Sequence, residues 1–529
     1  MSDERAMTRR DLLTLVGAAA GSSVMYQAMT SLGHAAESDY RGPLALDGDP
    51  QGASVLVLGA GLAGMVTALE LRKAGYKVQV LEYSDRAGGR SWTLRGGDRY
   101  TELGGFKQVC RFDTGLYINP GPWRIPYHHR AILDYCKRLK VPLEPFVQVN
   151  SNAYLHSSRA FDGKPQRFRH IQADFHGHVA ELLAKAANQG RLDDAVTPED
   201  KEILLEALKD WGALDANYAY AAGHAASERR GYDSDPGGGL SGVPVPSTPL
   251  GLDAILTSRL WQNLTAGGNY EFHMPMFQPK GGMDRLAKAL QRELGELIRF
   301  DAKVVAIRQD ARAVTVTYRR RAGGAAMHAS ADWCVCAIPL SILSQIALNV
   351  SAPTAAAIAA VPYVPAVKIG LQMKRRFWEE DDAIYGGISY TDLPIRSIGY
   401  PATGYGSRGK GVLLGAYAIF DTYAFELGAL PPAERIARAV EWGAAIHPQY
   451  KDAFENGVAV AWQRNPGSLG CFGAWSEAAR QQHYKDLCAI DGRIVLAGEH
   501  ASYLPAWQEG AILSALDAVS RLHRRVVGG

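Results

Sequence analysis

Val55-Leu-Val-Leu-Gly59-Ala-Gly61-Leu-Ala-Gly64, closed by Glu82 after a second apolar run from Tyr76 to Leu81, decides the fold. A Gly-x-Gly-x-x-Gly alone is a weak signal, because glycine-rich turns are common. Here it follows a β-like apolar run and opens an amphipathic helix predicted over Leu62 to Ala74. Each glycine then has its own task. Gly59 allows the tight turn, Gly61 lets backbone N–H groups approach a pyrophosphate, and Gly64 lets helix pack on strand. The helix N-terminus, with Leu62 and Ala63 in its first turn, favours the anion. Glu82 stands where a carboxylate accepts from both ribose hydroxyls of an adenosine, which argues against NADP with its 2′-phosphate. The pattern runs on into Arg86-Ala-Gly88-Gly89-Arg90-Ser-Trp-Thr93.

Outward from this βαβ unit the texture changes. Residues 101–165 are mixed, with a helix predicted over Tyr127–Leu139. Residues 166–265 read as mostly helical, for example at Val179–Ala187 and Pro198–Trp211. They end in a Gly-, Pro- and Ser-rich connection, Asp233–Pro249, expected to be a mobile surface loop or lid edge. Gly281-Gly282-Met283-Asp284 starts a helix to Leu297. Strands follow at Ala302–Ile307, Val314–Tyr318 and Trp333–Ile338, and residues 362–420 alternate like a sheet. A helix is predicted over Arg435–Ile446. The chain closes with an apolar run into Ala497-Gly498-Glu499 and a helix from Glu509 to Val526. The dinucleotide fold is therefore expected to be discontinuous.

At 529 residues the chain exceeds a single domain. A net charge of +3 with 21% charged residues, and no interleaving of aromatic and basic residues, speaks against nucleic-acid binding. Ten Trp and 24 Tyr suit a partly aromatic ligand cavity. Thr8-Arg9-Arg10-Asp-Leu-Leu13, the weakly apolar stretch Leu12–Met29 and Gly33-His-Ala35 look like a twin-arginine export signal over residues 1–36. The protein is thus expected to engage the twin-arginine export machinery, to travel folded, and to be periplasmic or secreted. Six scattered cysteines make no disulfide framework. Cys334 and Cys336 share one strand face, where burial as small apolar side chains is expected rather than a metal site.

These pieces together resemble the flavin-dependent amine oxidases, and within them the L-amino acid oxidases. The resemblance rests on Gly59–Glu82, Gly88-Gly89-Arg90, Pro279-Lys-Gly281-Gly282-Met283-Asp284 and Ala497-Gly498-Glu499, and is weakest over about 166–270. It implies a mixed α/β fold with FAD as cofactor. The Rossmann-like FAD-binding domain would be discontinuous (51–100, 271–345 and 461–527). A mixed-sheet substrate domain (101–165 and 346–460) and a helical domain (166–270) would complete it. Implied cofactor contacts are Gly59, Gly61, Leu62, Ala63, Gly64, Glu82, Tyr83, Gly89, Arg90, Gly121, Pro122, Trp123, Arg124, Val304, Trp462, Gly498, Glu499, Gln508, Glu509 and Ala511.

Four further segments point to amino acids as substrate. Asn119-Pro-Gly121-Pro122-Trp123-Arg124-Ile-Pro126, followed by His129, looks like the family segment whose arginine pairs with the substrate carboxylate, as bidentate guanidinium geometry allows. Lys368, alternating with apolar residues in Ala366-Val-Lys368-Ile-Gly-Leu, resembles the lysine that holds a water beside flavin N5. Tyr417 matches the second carboxylate donor, with Ile419 beside it on the same strand. Ala506-Trp507 before Gln508-Glu509-Gly510-Ala511 resembles the segment crossing the flavin face: the Ala506 carbonyl accepts from the amino group and Trp507 walls the cavity. The helix from Glu509 would aim its amides at the flavin's pyrimidine carbonyl.

Two departures matter. The histidine that some family members carry as a proposed base has no counterpart in Leu260–Thr265, leaving His273 or water. Cys471 is spaced from Trp462 as in covalent monoamine oxidases, although noncovalent FAD is the expectation. The implied reaction is hydride transfer from Cα of an L-amino acid to flavin N5, with dioxygen as oxidant, giving 2-oxo acid, ammonia and hydrogen peroxide. The alternatives are an amine or polyamine oxidase, a flavin dehydrogenase using a quinone, and a flavin-binding partner without turnover. Preferred side chain and assembly, a homodimer included, stay open.

Overall fold

The computed structural model describes residues 38, 40–190 and 197–528. The export signal expected over residues 1–36 lies outside them. Among the described residues no helix is long and apolar enough to cross a membrane.

The fold is mixed α/β. Its six-stranded sheet runs in the order Ile298–Arg299, Lys77–Leu81, Ser54–Leu58, Trp333–Cys336, Ile494–Leu496, Ile490–Asp491. Every pairing is parallel except the last. Alternation along the first strand explains why both faces are covered. Val55 and Val57 pack into one core with Leu62–Lys73, Arg285–Leu294 and the last helix, Gln508–Val527. Leu56 and Leu58 pack into another with Cys334, Cys336 and the four-stranded sheet built on Lys303–Gln309 and Val314–Arg319. Cys334 and Cys336 are buried free thiols.

The helix after the fingerprint corrects one expectation: it is not amphipathic. Every residue from Leu62 to Leu71 is buried, and only Arg72 and Lys73 reach solvent. The last helix covers the face that an isolated βαβ unit would leave wet. Buried Glu70 is satisfied from a different helix, Arg130–Arg138, by the Tyr135 hydroxyl at 2.7 Å and by Arg138 at 3.1 Å.

The second sheet has seven strands, in the order Gln166–Arg167, Tyr154–His156, Ile388–Thr391, Ser397–Gly399, Gly411–Ile419, Ala366–Met373, Phe454–Ala461. Ala366–Met373 is buried along its whole length, which forces Lys368 inward. Helices Phe168–Asn188, Pro198–Trp211, His224–Arg230 and Leu252–Ser258 follow in the middle of the chain. The Asp233–Pro249 connection is not wholly irregular, since Tyr232–Ser234 pairs with Val245–Pro246.

The helix predicted from Tyr127 begins at Arg130 instead. Its first free amides are taken by Glu509, whose carboxylate accepts from Ala131 N–H at 2.9 Å and Ile132 N–H at 2.8 Å. An acid at a helix N-terminus is favoured by the unpaired amides and the helix dipole.

Candidate active site

One cavity of about 1740 Å³ runs from the glycine turn to the seven-stranded sheet. Pockets for single small molecules span roughly 300–1,000 Å³, so this one has room for a dinucleotide and a substrate together.

The dinucleotide end is built from backbone. Gly59 holds φ +100. A Cβ on Gly64 would fall 1.9 Å from the Gly59 carbonyl oxygen, so the helix can approach the strand only with glycine there. A Cβ on Gly61 would meet nothing within 4 Å, because the turn faces open cavity. No side chain caps this helix, so its first amides stay available to an anion. The Gly88 amide donates to the Ala60 carbonyl at 2.7 Å, bringing the Gly88-Gly89-Arg90 segment against the turn. Glu82 is oriented by two amides, Ala60 N–H at 2.6 Å and Ser84 N–H at 2.7 Å. Burial pushes its pKa up, and those amides oppose the shift. A carboxylate offers about four lone pairs, so two remain for ribose hydroxyls. The residues present thus fit an adenine dinucleotide. Tyr83, Val304 and Ile338 line the same end.

Glu499 ties the middle of the cavity together. It accepts from Arg90 at 2.6 Å, from the Gly473 amide at 3.2 Å and from the Ala506 amide at 3.3 Å. Arg90 also donates to the Cys471 carbonyl at 2.9 Å. Ala506 sits at φ +69, a conformation L residues rarely hold, and lines the cavity. Gln508 begins the last helix and donates to the Ser91 hydroxyl at 2.8 Å.

The far end is aromatic and carries two cations. The Arg124 guanidinium carbon lies 4.8 Å from the Phe272 ring centre, 5.3 Å from Trp123 and 6.0 Å from Phe146 and Trp507. Arg124 Nε is buried without a hydrogen-bond partner. Lys368 and Tyr417 are cross-strand neighbours, so their side chains share a face. Lys368 Nζ donates to the Gly121 carbonyl at 2.6 Å and lies 4.4 Å from the Tyr417 ring centre. Burial, reinforced by Arg124, lowers its pKa to about 7. Cys471 is half-buried here, and desolvation raises its thiol to about 11. His129 packs edge-on against Trp507 at 4.8 Å. Burial holds its pKa well below the ordinary histidine range, so it is neutral near pH 7.

Gly59, Gly61, Leu62, Ala63, Glu82, Tyr83, Gly89, Arg90, Gly121, Pro122, Trp123, Arg124, Val304, Lys368, Tyr417, Ile419, Cys471, Gly498, Glu499, Ala506, Trp507, Gln508 and Ala511 all line this cavity. Three residues expected at the cofactor do not. Gly64 is the contact between helix and strand beneath the turn. The Trp462 indole lies behind the wall, donating to the Pro120 carbonyl at 2.7 Å. Glu509 turns away to cap the helix at Arg130. His273, offered as a substitute base, is outside the cavity wall with its ring on the Gly268 carbonyl.

Sequence reasoning missed Glu271. It lines the cavity within the single turn Tyr270–Phe272, and burial raises its pKa to about 7 against the Trp507 indole N–H and Arg124. The only local signal is an acid between two aromatics, with no periodicity to set it apart.

A profile of the flavin-containing amine oxidoreductases matches residues 62–523. The YobN protein of Bacillus subtilis (strain 168) is 29% identical over 483 residues, 89% of this chain and 94% of that one. The L-amino-acid oxidase of Vipera ammodytes ammodytes is 28% identical over 476 residues, 89% of this chain and 92% of that one. Among solved structures, the cyclohexylamine oxidase of Brevibacterium oxydans IH-35A superposes with a TM-score of 0.58 at 16% identity, over 89% of this chain and 99% of that one; this likeness concerns the fold. With a profile match over most of its length, this chain belongs to the flavin-containing amine oxidoreductase family.

Proposed function

We propose that the protein is an FAD-dependent oxidase of L-amino acids. The observation that carries this reading is Arg124: a guanidinium in an aromatic box at the cavity's far end, its Nε without a partner. A simple amine substrate has no use for such a cation, whereas an α-carboxylate pairs with it through a charge-assisted fork. Tyr417 lies in the same wall and supplies a second donor to that carboxylate. The relatives named as L-amino-acid oxidases support the same choice.

FAD would be held noncovalently by Gly59–Ala63, Glu82, Arg90 and Gln508, and would supply the two-electron redox chemistry, with dioxygen as the final oxidant. The chain's own residues bind and orient. Arg124 and Tyr417 fix the carboxylate, and with it the direction in which the Cα–H points. Trp123, Phe272 and Trp507 exclude water. The Ala506 carbonyl accepts from the amino group. Lys368 holds a cation whose charge is lost as pH rises through about 7.

A second reading, an amine or polyamine oxidase, draws on buried Glu271, an acid able to hold a substrate ammonium without any carboxylate. One assay separates the two. Purified protein is given a panel of L-amino acids alongside cyclohexylamine and putrescine, and peroxide is measured. Turnover confined to L-amino acids is expected; turnover of the amines alone would overturn the assignment.

A further inference from the structure

We propose that Glu271 is the counter-ion and proton acceptor of the substrate's α-ammonium, an inference that rests on the amino-acid reading above. An α-amino acid enters as a zwitterion whose two charges lie within roughly 3 Å of each other, about one hydrogen-bond length. A site that holds its carboxylate therefore has to meet the ammonium close by. Glu271 is placed to do so. It is 4% exposed, lines the cavity, faces the Trp507 indole N–H and feels the Arg124 guanidinium. Its neighbour Phe272 covers Arg124 at 4.8 Å. The turn is held by the Phe272 amide on the Asn269 carbonyl at 2.8 Å and by Tyr270 stacked 4.4 Å from His128.

The other titratable groups at this end are Arg124, His129, Lys368, Tyr417 and Cys471, with Glu499 behind the Ala506 amide. His129 is neutral, Lys368 donates to the Gly121 carbonyl, and Glu499 is paired with Arg90. Glu271 is the remaining acid. A carboxyl raised to about 7 by burial is half ionised near neutral pH, which suits a general base. The step balances: R–NH3⁺ and the Glu271 carboxylate give R–NH2 and the Glu271 carboxylic acid. The freed nitrogen lone pair then forms the C=N bond as the Cα hydrogen leaves with its electron pair for FAD, the oxidant named above.

Two measurements on the cofactor-loaded enzyme test this. The first is kcat/KM for L-leucine against pH. The wild type should fall about tenfold per unit below pH 7, and Glu271→Gln should lose that limb together with roughly 100-fold or more of its rate. The second needs no turnover: binding of 4-methylpentanoate, which is leucine without its amine. An ionised Glu271 repels it, so wild-type affinity should drop about tenfold per unit above pH 7. Lys368 loses its charge over the same range and would give a similar slope. Glu271→Gln should flatten the slope and Lys368→Met should keep it. An acidic limb surviving in Glu271→Gln, wild-type binding indifferent to pH, or a slope lost only in Lys368→Met overturns the role of Glu271 while leaving the oxidase reading intact. A wild type that oxidises no amino acid overturns both.

Discussion

Lys368→Met asks what a buried ammonium costs this fold. Lys368 is 4% exposed, and burial together with Arg124 lowers its pKa from 10.5 to about 7. In the unfolded chain the amine keeps its ordinary value. Between about pH 7 and 10.5 the unfolded state therefore binds more protons, and stability rises with pH across that window. The destabilisation is complete below about pH 7 and gone above about pH 10.5. At about 1.4 kcal/mol per unit, a depression of this size amounts to roughly 3–6 kcal/mol. An opposing effect comes from the Gly121 carbonyl, which loses its donor in the variant. That costs about 1–3 kcal/mol and does not depend on pH. The variant should thus be the more stable protein at pH 7, and the wild type should overtake it between about pH 8 and pH 10. Urea midpoints of both proteins at pH 7, 8.5 and 10, followed by tryptophan fluorescence, read this directly. Midpoints that move in parallel would refute a charged, buried Lys368. In the same variant flavin content should be retained while peroxide production slows, since a cation stabilising charge in the oxidative or reductive half-reaction is gone.

Arg124→Ala should lower kcat/KM for amino acids by roughly 30- to 4000-fold, the loss of about 2–5 kcal/mol from a charge-assisted pair, with Arg124→Lys recovering little of it; unchanged kinetics would place the carboxylate elsewhere. Gly64→Ala sets a methyl carbon 1.9 Å from the Gly59 carbonyl oxygen, so the purified variant should be colourless; normal flavin absorbance would refute the packing argument. Acid precipitation of the wild type should leave all flavin in the supernatant. Colour that stays with the polypeptide and is released by Cys471→Ala would establish a bond from that thiol to the flavin. The double substitution of Arg9→Lys with Arg10→Lys should hold the protein in the cytoplasm, checked by fractionation; normal export would rule out the twin-arginine route.

The parts of this molecule that were legible in the sequence are those where backbone chemistry fixes residue type. Gly59 at φ +100 and Gly64 against the Gly59 carbonyl answer steric demands that other residues do not meet, and Gly61 faces the open cavity, so the first βαβ unit could be read directly. Lys368 was conspicuous as a charge in an apolar strand, and Arg124 as an arginine in a Pro- and Gly-framed segment. The covering of the Leu62–Lys73 helix could not be read, because the covering element is the chain's last helix and periodicity carries no information about partners so remote. The task of the Glu509 side chain was hidden for a related reason: its position at a helix start drew attention to that helix's own amides, whereas its carboxylate serves a different helix's N-terminus. Glu271 left no trace, since a lone acid in a single helical turn has no pattern and its properties come entirely from the walls around it.

The sheet that cradles the dinucleotide takes strands from Ser54–Leu58, Trp333–Cys336 and Ile494–Leu496, and the helix sealing it ends at Val527. During synthesis the fingerprint emerges first and waits for nearly the entire polypeptide before its neighbours exist. Glu499, which joins Arg90 to the Ala506 segment, arrives at the very end as well. Cofactor capture is therefore a post-translational event and reports on completion: a chain truncated before its last strand would carry every glycine of the motif and still bind nothing.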